Sequence, residues 1–187
     1  MRTVAIDDAG NIRDLVLVSR TGGIAYLVSG EPGQRFETLQ RLREAASADF
    51  DVRIDDRTET TCLLGIAGPA AGQVAIDHLS ESLPARLKAL QCFTFEFHGF
   101  RALGIRTSDT GEDGFELMLA PAVARHVLET LTAAGVRPAG FEALDAARIE
   151  ACLPAFAPDL EPGVSPAEAD LDTLLEVEGG RDGRILA

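Results

Sequence analysis

The apolar positions of the first thirty residues fall into three short runs. "TVAID" (3–7), "IRDLVLVSR" (12–20) and "GIAYLVSG" (23–30) are rich in Val, Ile and Leu. "DAGN" and "TGG" separate them, and both are turn-forming, so the pattern predicts a three-stranded antiparallel meander. The period then changes. "PGQRFETLQRLREAAS" (32–47) sets Phe36, Leu39 and Leu42 along one helical face behind Pro32 and Gly33. "DFDVRIDD" (49–56) and "TTCLLGIAG" (60–68) predict strands returning to that sheet, and "GPAAGQVAIDHLS" (68–80) a helix with Pro69 at its start.

A second set follows. "FTFEF" (93–97) alternates Phe with polar residues, the mark of a half-buried strand; "HG" (98–99) turns it, and "FRALGIRTS" (100–108) runs back. "GFELMLA" (114–120) is a further strand. "PAVARHVLETLTAAG" (121–135) is the clearest helix, with Pro at its start, Gly at its end and Val123, Val127, Leu128 and Leu131 on one stripe. A last helix spans about 140–153. Strands and helices come in blocks rather than in strict alternation, which predicts an α+β fold of antiparallel sheets with helices packed on them. The repeated order divides the chain into a first half (1–82), a second half (83–160) and a C-terminal tail (161–187).

Composition narrows the function. Hydrophobic residues make up 46% and charged residues 25%, the balance of a folded globular protein. No apolar run is long enough for a membrane span, and the N-terminus has no apolar core of a secretion signal, so the expected location is the cytoplasm. Seventeen basic residues against 30 acidic ones give a net charge of −13, which excludes nucleic acid and anionic membranes as partners. Cys62, Cys92 and Cys152 are far apart without a CxxC pair and read as reduced, mostly buried thiols. His78, His98 and His126 form no cluster in sequence, so no metal site is expected.

The chemistry concentrates in "TSDTGEDGFEL" (107–117). Gly111 and Gly114 permit the positive φ angles of a tight connection. Glu112 and Asp113 can sit at its tip or fold back onto backbone N–H groups. Strand alternation sets Phe115, Leu117 and Leu119 on one face and Glu116 and Met118 on the other. A buried carboxylate at 116 needs a partner. A heterocycle with an amidine-like N–H pair, such as a pterin, supplies one; a solvated hairpin tip is the plainer reading.

The stretch from "RTSDTGEDGFEL" through "GFEALDAARIEACLP" resembles the glycine-cleavage T-protein (aminomethyltransferase) family of folate-binding proteins. Arg106, Thr107, Thr110 to Glu116, Gly140, Asp145, Arg148, Glu150, Ala151, Leu153 and Pro154 match its pattern. "GNIRDLVLV" (10–18), "LLGIAGPAA" (63–71) and "VSPAEADL" (164–171) are similar to further collinear segments. The resemblance implies two ferredoxin-like halves, and here no C-terminal barrel. It implies one-carbon transfer, methyl or aminomethyl, from a small-molecule donor to tetrahydrofolate. On the same ground Asp14 is the expected catalytic carboxylate. Glu116 is expected on the pterin, with Asp109, Arg106 and Tyr26 as further folate-binding candidates.

Departures from the family pattern fall at its chemistry. Arg13 stands for the first Asp of an Asp–Asp pair, and Ser108 and Asp109 stand for Gly–Tyr. Ala67 replaces a Gln, Ser29–Gly30 an Asn, and Leu144 an Arg. The chain is also short of the family pattern at both ends, which leads to the expectation of a homodimer or a separate partner subunit. The alternative is a non-catalytic folate-binding or interaction subunit that kept the fold.

Overall fold

The computed structural model describes residues 1–79, 87–160 and 163–171, with the side chains of 47–49 and 157–158 left aside. They form two compact units. The first comprises Met1–Asp56 with the described residues from Pro154 on, and the second Arg57–Leu153.

The first unit contains the expected meander: β1 (Arg2–Ile6), β2 (Ile12–Arg20) and β3 (Tyr26–Ser29), all antiparallel with β2 central. A β-bulge between Ala5 and Ile6 sets the geometry of its centre. Above it Ala5 faces Asp14 and Val4 faces Leu15; beyond it Ile6 faces Ile12. Paired residues share a face, so Ile12 lies with Val4, Ile6 and Leu15 while Asp14 lies on the opposite side. That first face buries Val4 and Ile12 against Leu160 and Leu171 of the C-terminal segment.

A short 3₁₀ turn (Pro32–Gln34) leads into α1 (Arg35–Asp49). Here the structure differs from the sequence reading. Phe36 is 75% exposed, and α1 meets the sheet through polar groups instead. Arg13 Nε donates to Glu37 Oε1 at 2.8 Å, Thr38 Oγ1 donates to Asp14 Oδ2 at 2.6 Å, and Arg41 Nη1 donates to the Ile6 carbonyl at 3.1 Å. The stretch 50–56 is not a strand, although Phe50, Val52 and Ile54 alternate. It acquires no ladder partner, and these side chains line an open cleft with Arg43 and Ala46 of α1.

The second unit is a four-stranded antiparallel sheet in the order β4 (Cys62–Ala67), β7 (Gly114–Leu119), β6 (Phe100–Ile105), β5 (Cys92–Phe97). β4 therefore belongs to this sheet and does not return to the first, as its pattern suggested. One face of the sheet buries Phe93, Phe95, Phe97, Leu117, Leu119 and Ile66 against α2 (Ala71–His78) and α3 (Pro121–Ala133). Burying each Phe stabilises the unit by roughly 1.5–3 kcal/mol. Phe93 lies across Gly104 of the neighbouring strand, where any Cβ would collide with its ring. On α3 the buried stripe is Val123, Ala124, Val127 and Leu131; Leu128, expected inside, is 43% exposed.

α4 (Phe141–Glu150) and a short α5 (Phe156–Asp159) complete the described elements. Arg148 is buried: it grips Asp145 one turn back and donates Nη1 to the Leu153 carbonyl at 3.2 Å. With Cys152 at φ +55° this closes the end of α4. Cys152 is exposed, against expectation, while Cys62 and Cys92 are half-buried and burial raises the Cys92 thiol pKa. Among the described residues no helix is long and apolar enough to cross a membrane.

Candidate functional site

Glu116 occupies the middle of β7, a strand with neighbours on both sides. It pairs with Gly65 on β4 and Ile105 on β6, so the three positions share the face turned away from α2 and α3. Glu116 is 7% exposed and Ile105 is fully buried. Both faces of β7 are therefore buried, where simple alternation implied one. Gly65 contributes no side chain, and a Cβ there would meet no heavy atom within 4 Å. The sheet surface is thus bare directly beside a buried carboxylate. Leu63 and Ala67 flank Gly65 on the same face of β4, and both are exposed.

The loop before β7 is wound by its own side chains. Ser108 and Thr110 hydroxyls are 2.6 Å apart, and the Thr110 and Glu112 amides donate to Ser108 Oγ and Thr110 Oγ1. Arg106 donates through Nε and Nη2 to the two oxygens of Asp113 at 2.9 and 3.0 Å, and through Nη1 to the Leu87 carbonyl. Asp113 also accepts the Gly114 amide, and the Arg106 guanidinium, chiefly by hydrogen bonding, holds its pKa below the ordinary carboxylate value. Gly111 has φ +76° and lies against Ala151. Gly114 is not in the left-handed region; it is required because Ile66 O and Ser108 leave no space for a Cβ. Asp109 and Glu112 are exposed on this loop.

Asp14 is fully buried at the centre of the first sheet. Thr38 donates to one oxygen and the Glu31 backbone N–H to the other, at 2.6 and 3.0 Å. Gly30 passes so close that a Cβ would collide with the carboxylate. Burial is the main cause of a raised Asp14 pKa, opposed by the Thr38 and Glu31 hydrogen bonds. Asp14 thus tethers the start of α1 to the sheet from across the unit. Tyr26 shares its face but is 61% exposed and pairs with Arg20, six residues along β2, about 20 Å away. The first unit therefore does not bring Asp14 and Tyr26 together. In the second, Arg106 follows Ile105, the partner of Glu116, and its donors are committed to Asp113 and the Leu87 carbonyl.

Residues 2–179 match the GCVT N-terminal domain family. The chain belongs to that family. It is 36% identical over 179 residues to an aminomethyltransferase of Xanthomonas axonopodis pv. citri, covering 92% of this chain and 47% of that protein. An aminomethyltransferase of Rubrobacter xylanophilus is 35% identical over 171 residues, covering 90% and 44%. The crystal structure of glycine cleavage system aminomethyltransferase T from Bartonella henselae superposes with a TM-score of 0.80 at 26% identity, over 92% of this chain and 46% of that one. The fold is thus the expected α+β arrangement of antiparallel sheets. The chain spans about half the length of the curated relatives it matches.

Three groups at these positions escaped the sequence reading. Thr38 and Gly30 enclose Asp14, and Gly65 opens the space beside Glu116. A glycine inside an otherwise apolar strand pattern was the available signal for Gly65, because it marks a close approach or an open slot.

Proposed function

We propose that this chain is a folate-binding component of one-carbon (methyl or aminomethyl) transfer, with tetrahydrofolate as acceptor and a partner subunit or second copy completing the machinery. The observation that carries this reading is the buried Glu116 carboxylate beside the bare Gly65 position. A carboxylate on a strand with neighbours on both sides accepts two parallel N–H bonds from the edge of a pterin. Gly65 leaves room for the flat ring, so the residues present fit the group. Tetrahydrofolate, when bound, supplies the amine nitrogen that takes up the carbon unit. Leu63, Ala67 and Met118 give an apolar surround that strengthens a carboxylate–amidine pair relative to water. Asp14 would stabilise positive charge developing on nitrogen and relay a proton.

One observation favours a second reading, a non-catalytic folate-binding subunit. Asp14 has no exposure, both its oxygens already accept hydrogen bonds, and Gly30 closes over it. Calorimetric titration with tetrahydrofolate tests the shared part. The expected result is binding that Glu116→Gln and Gly65→Phe each abolish without changing the circular dichroism spectrum. Equal binding by wild type and both variants refutes the site. Asp14→Asn then separates the readings: with a one-carbon donor present, transfer disappears under the first, whereas under the second wild type shows no transfer either.

A further inference from the structure

Two histidines that are far apart in sequence meet in space. His98 and His126 have ring centroids 5.1 Å apart, with ring planes inclined at 54°. His98 is the first residue of the two-residue β5–β6 turn, at φ +49° with Gly99 at +81°, closed by the Phe97–Phe100 pair. These angles are those of a type I′ hairpin, which fixes the backbone beneath the imidazole. His126 stands in the middle of α3. Phe97, almost fully buried, packs its ring against both, at 4.4 Å from His98 and 5.4 Å from His126. Both imidazoles are nonetheless exposed, and neither is hydrogen-bonded to another described residue.

We propose that His98 and His126 form a binding site for a late first-row divalent transition ion, Zn²⁺ being the probe. Two imidazoles on one tetrahedral ion, each at about 2.0–2.1 Å from nitrogen to metal, have ring centres roughly 5.2 Å apart. The observed spacing already meets that requirement. Rotation about the Cβ–Cγ bond, a soft torsion, turns the nitrogens and leaves the ring centres nearly in place. Imidazole suits Zn²⁺, Cu²⁺ and Ni²⁺ rather than Mg²⁺ or Ca²⁺. Among the described residues no group of three His, Cys, Asp or Glu side chains converges, so the remaining positions on the ion belong to water. A bound ion would fasten the tip of the β5–β6 hairpin to α3.

The chain has three histidines, so its imidazole NMR spectrum contains three spin systems. Zn²⁺ is added to the ¹⁵N-labelled chain with exposed Cys152 replaced by Ser, and long-range ¹H–¹⁵N spectra are recorded. The expected result is saturable shifts of His98 and His126 at one ion per chain, with His78 unmoved. His98→Asn, which keeps a residue tolerant of positive φ, and His126→Gln should each weaken binding more than about tenfold, since loss of a direct ligand exceeds loss of an outer partner. Mg²⁺ should move none of the three. Absence of saturation, equal shifts at His78, or binding unaltered in either variant overturns the site.

Discussion

Thr38→Val removes one donor from the fully buried Asp14 carboxylate while keeping the volume and branching of the side chain. Its hydroxyl lies 2.6 Å from Oδ2. A hydrogen bond to a charged group contributes about 1.5–3 kcal/mol, so the variant should be destabilised by that amount wherever the folded carboxylate is ionised. For a chain of this size the corresponding fall in Tm is roughly 3–12 °C. The pH dependence is more diagnostic. Burial raises the folded-state pKa of Asp14 above 3.8, so the folded state holds a proton that the unfolded state has lost. Stability therefore falls as pH rises from about 3.8 through the folded pKa, and is level above it. Losing Thr38 removes an effect that lowers this pKa, so the window extends further upward in the variant. The stability difference should be about 1 kcal/mol, that of a neutral hydrogen bond, where the folded state keeps Asp14 protonated, and should grow to its full value once pH has passed the folded pKa. Urea unfolding followed by circular dichroism at four pH values measures it. In an Asp14→Asn background the pH-dependent part should vanish, because Asn cannot ionise and the Thr38 hydroxyl can turn to accept its amide. A destabilisation by Thr38→Val that is the same from pH 4 to pH 7 would refute the view that the carboxylate is held as a buried charge.

Other outcomes follow from the same geometry. Gly30→Ala places a methyl group against the Asp14 carboxylate and should lower stability by about 1–3 kcal/mol in denaturant melts, as overpacking does elsewhere. Ser19 is buried with no hydrogen-bond partner for its hydroxyl among the described residues, so Ser19→Ala should raise stability by about 1 kcal/mol. Asp113→Asn breaks the fork with Arg106, a half-exposed pair whose screened value is about 0.5 kcal/mol. Because the folded Asp113 pKa is lowered, its contribution is present above the unfolded value and lost as pH falls through the folded one; the variant should lack that part of the acid loss.

Much of the architecture was legible where one face of an element meets one environment. The alternating phenylalanines 93, 95 and 97 gave a half-buried strand and its buried face, and Pro121 with Gly135 bracketed α3. Reading failed where a residue answers to something non-local. Phe50, Val52 and Ile54 alternate like a strand, but a ladder needs a neighbour that the pattern cannot reveal. Hydrophobicity picks out Phe36, Leu39 and Leu42 of α1, yet the helix is held to the sheet through Glu37, Thr38 and Arg41. Strand alternation leaves Glu116 open to a solvated reading and the resemblance singles it out, but its burial depends on the opposing face, which no period encodes. The family resemblance marked the site positions. It gave no sign that Gly30 closes over Asp14, because that contact joins β2 to the residue just past the end of β3.

The irregularity opposite Arg13 has a consequence for descent. β2 changes phase there: Arg13 and Asp14 both reach α1, while Ile12 turns to the C-terminal segment. Substitution at 13 alters one ion pair, whereas deleting that residue would remove the extra position, return β1 and β2 to a regular ladder and leave Ile12 and Asp14 on their opposite faces. Lineages of this hairpin can thus shed the irregularity without moving the acid, and a one-residue gap at 13 marks a chain that has lost the clasp to Glu37 while the acid at 14 keeps its place.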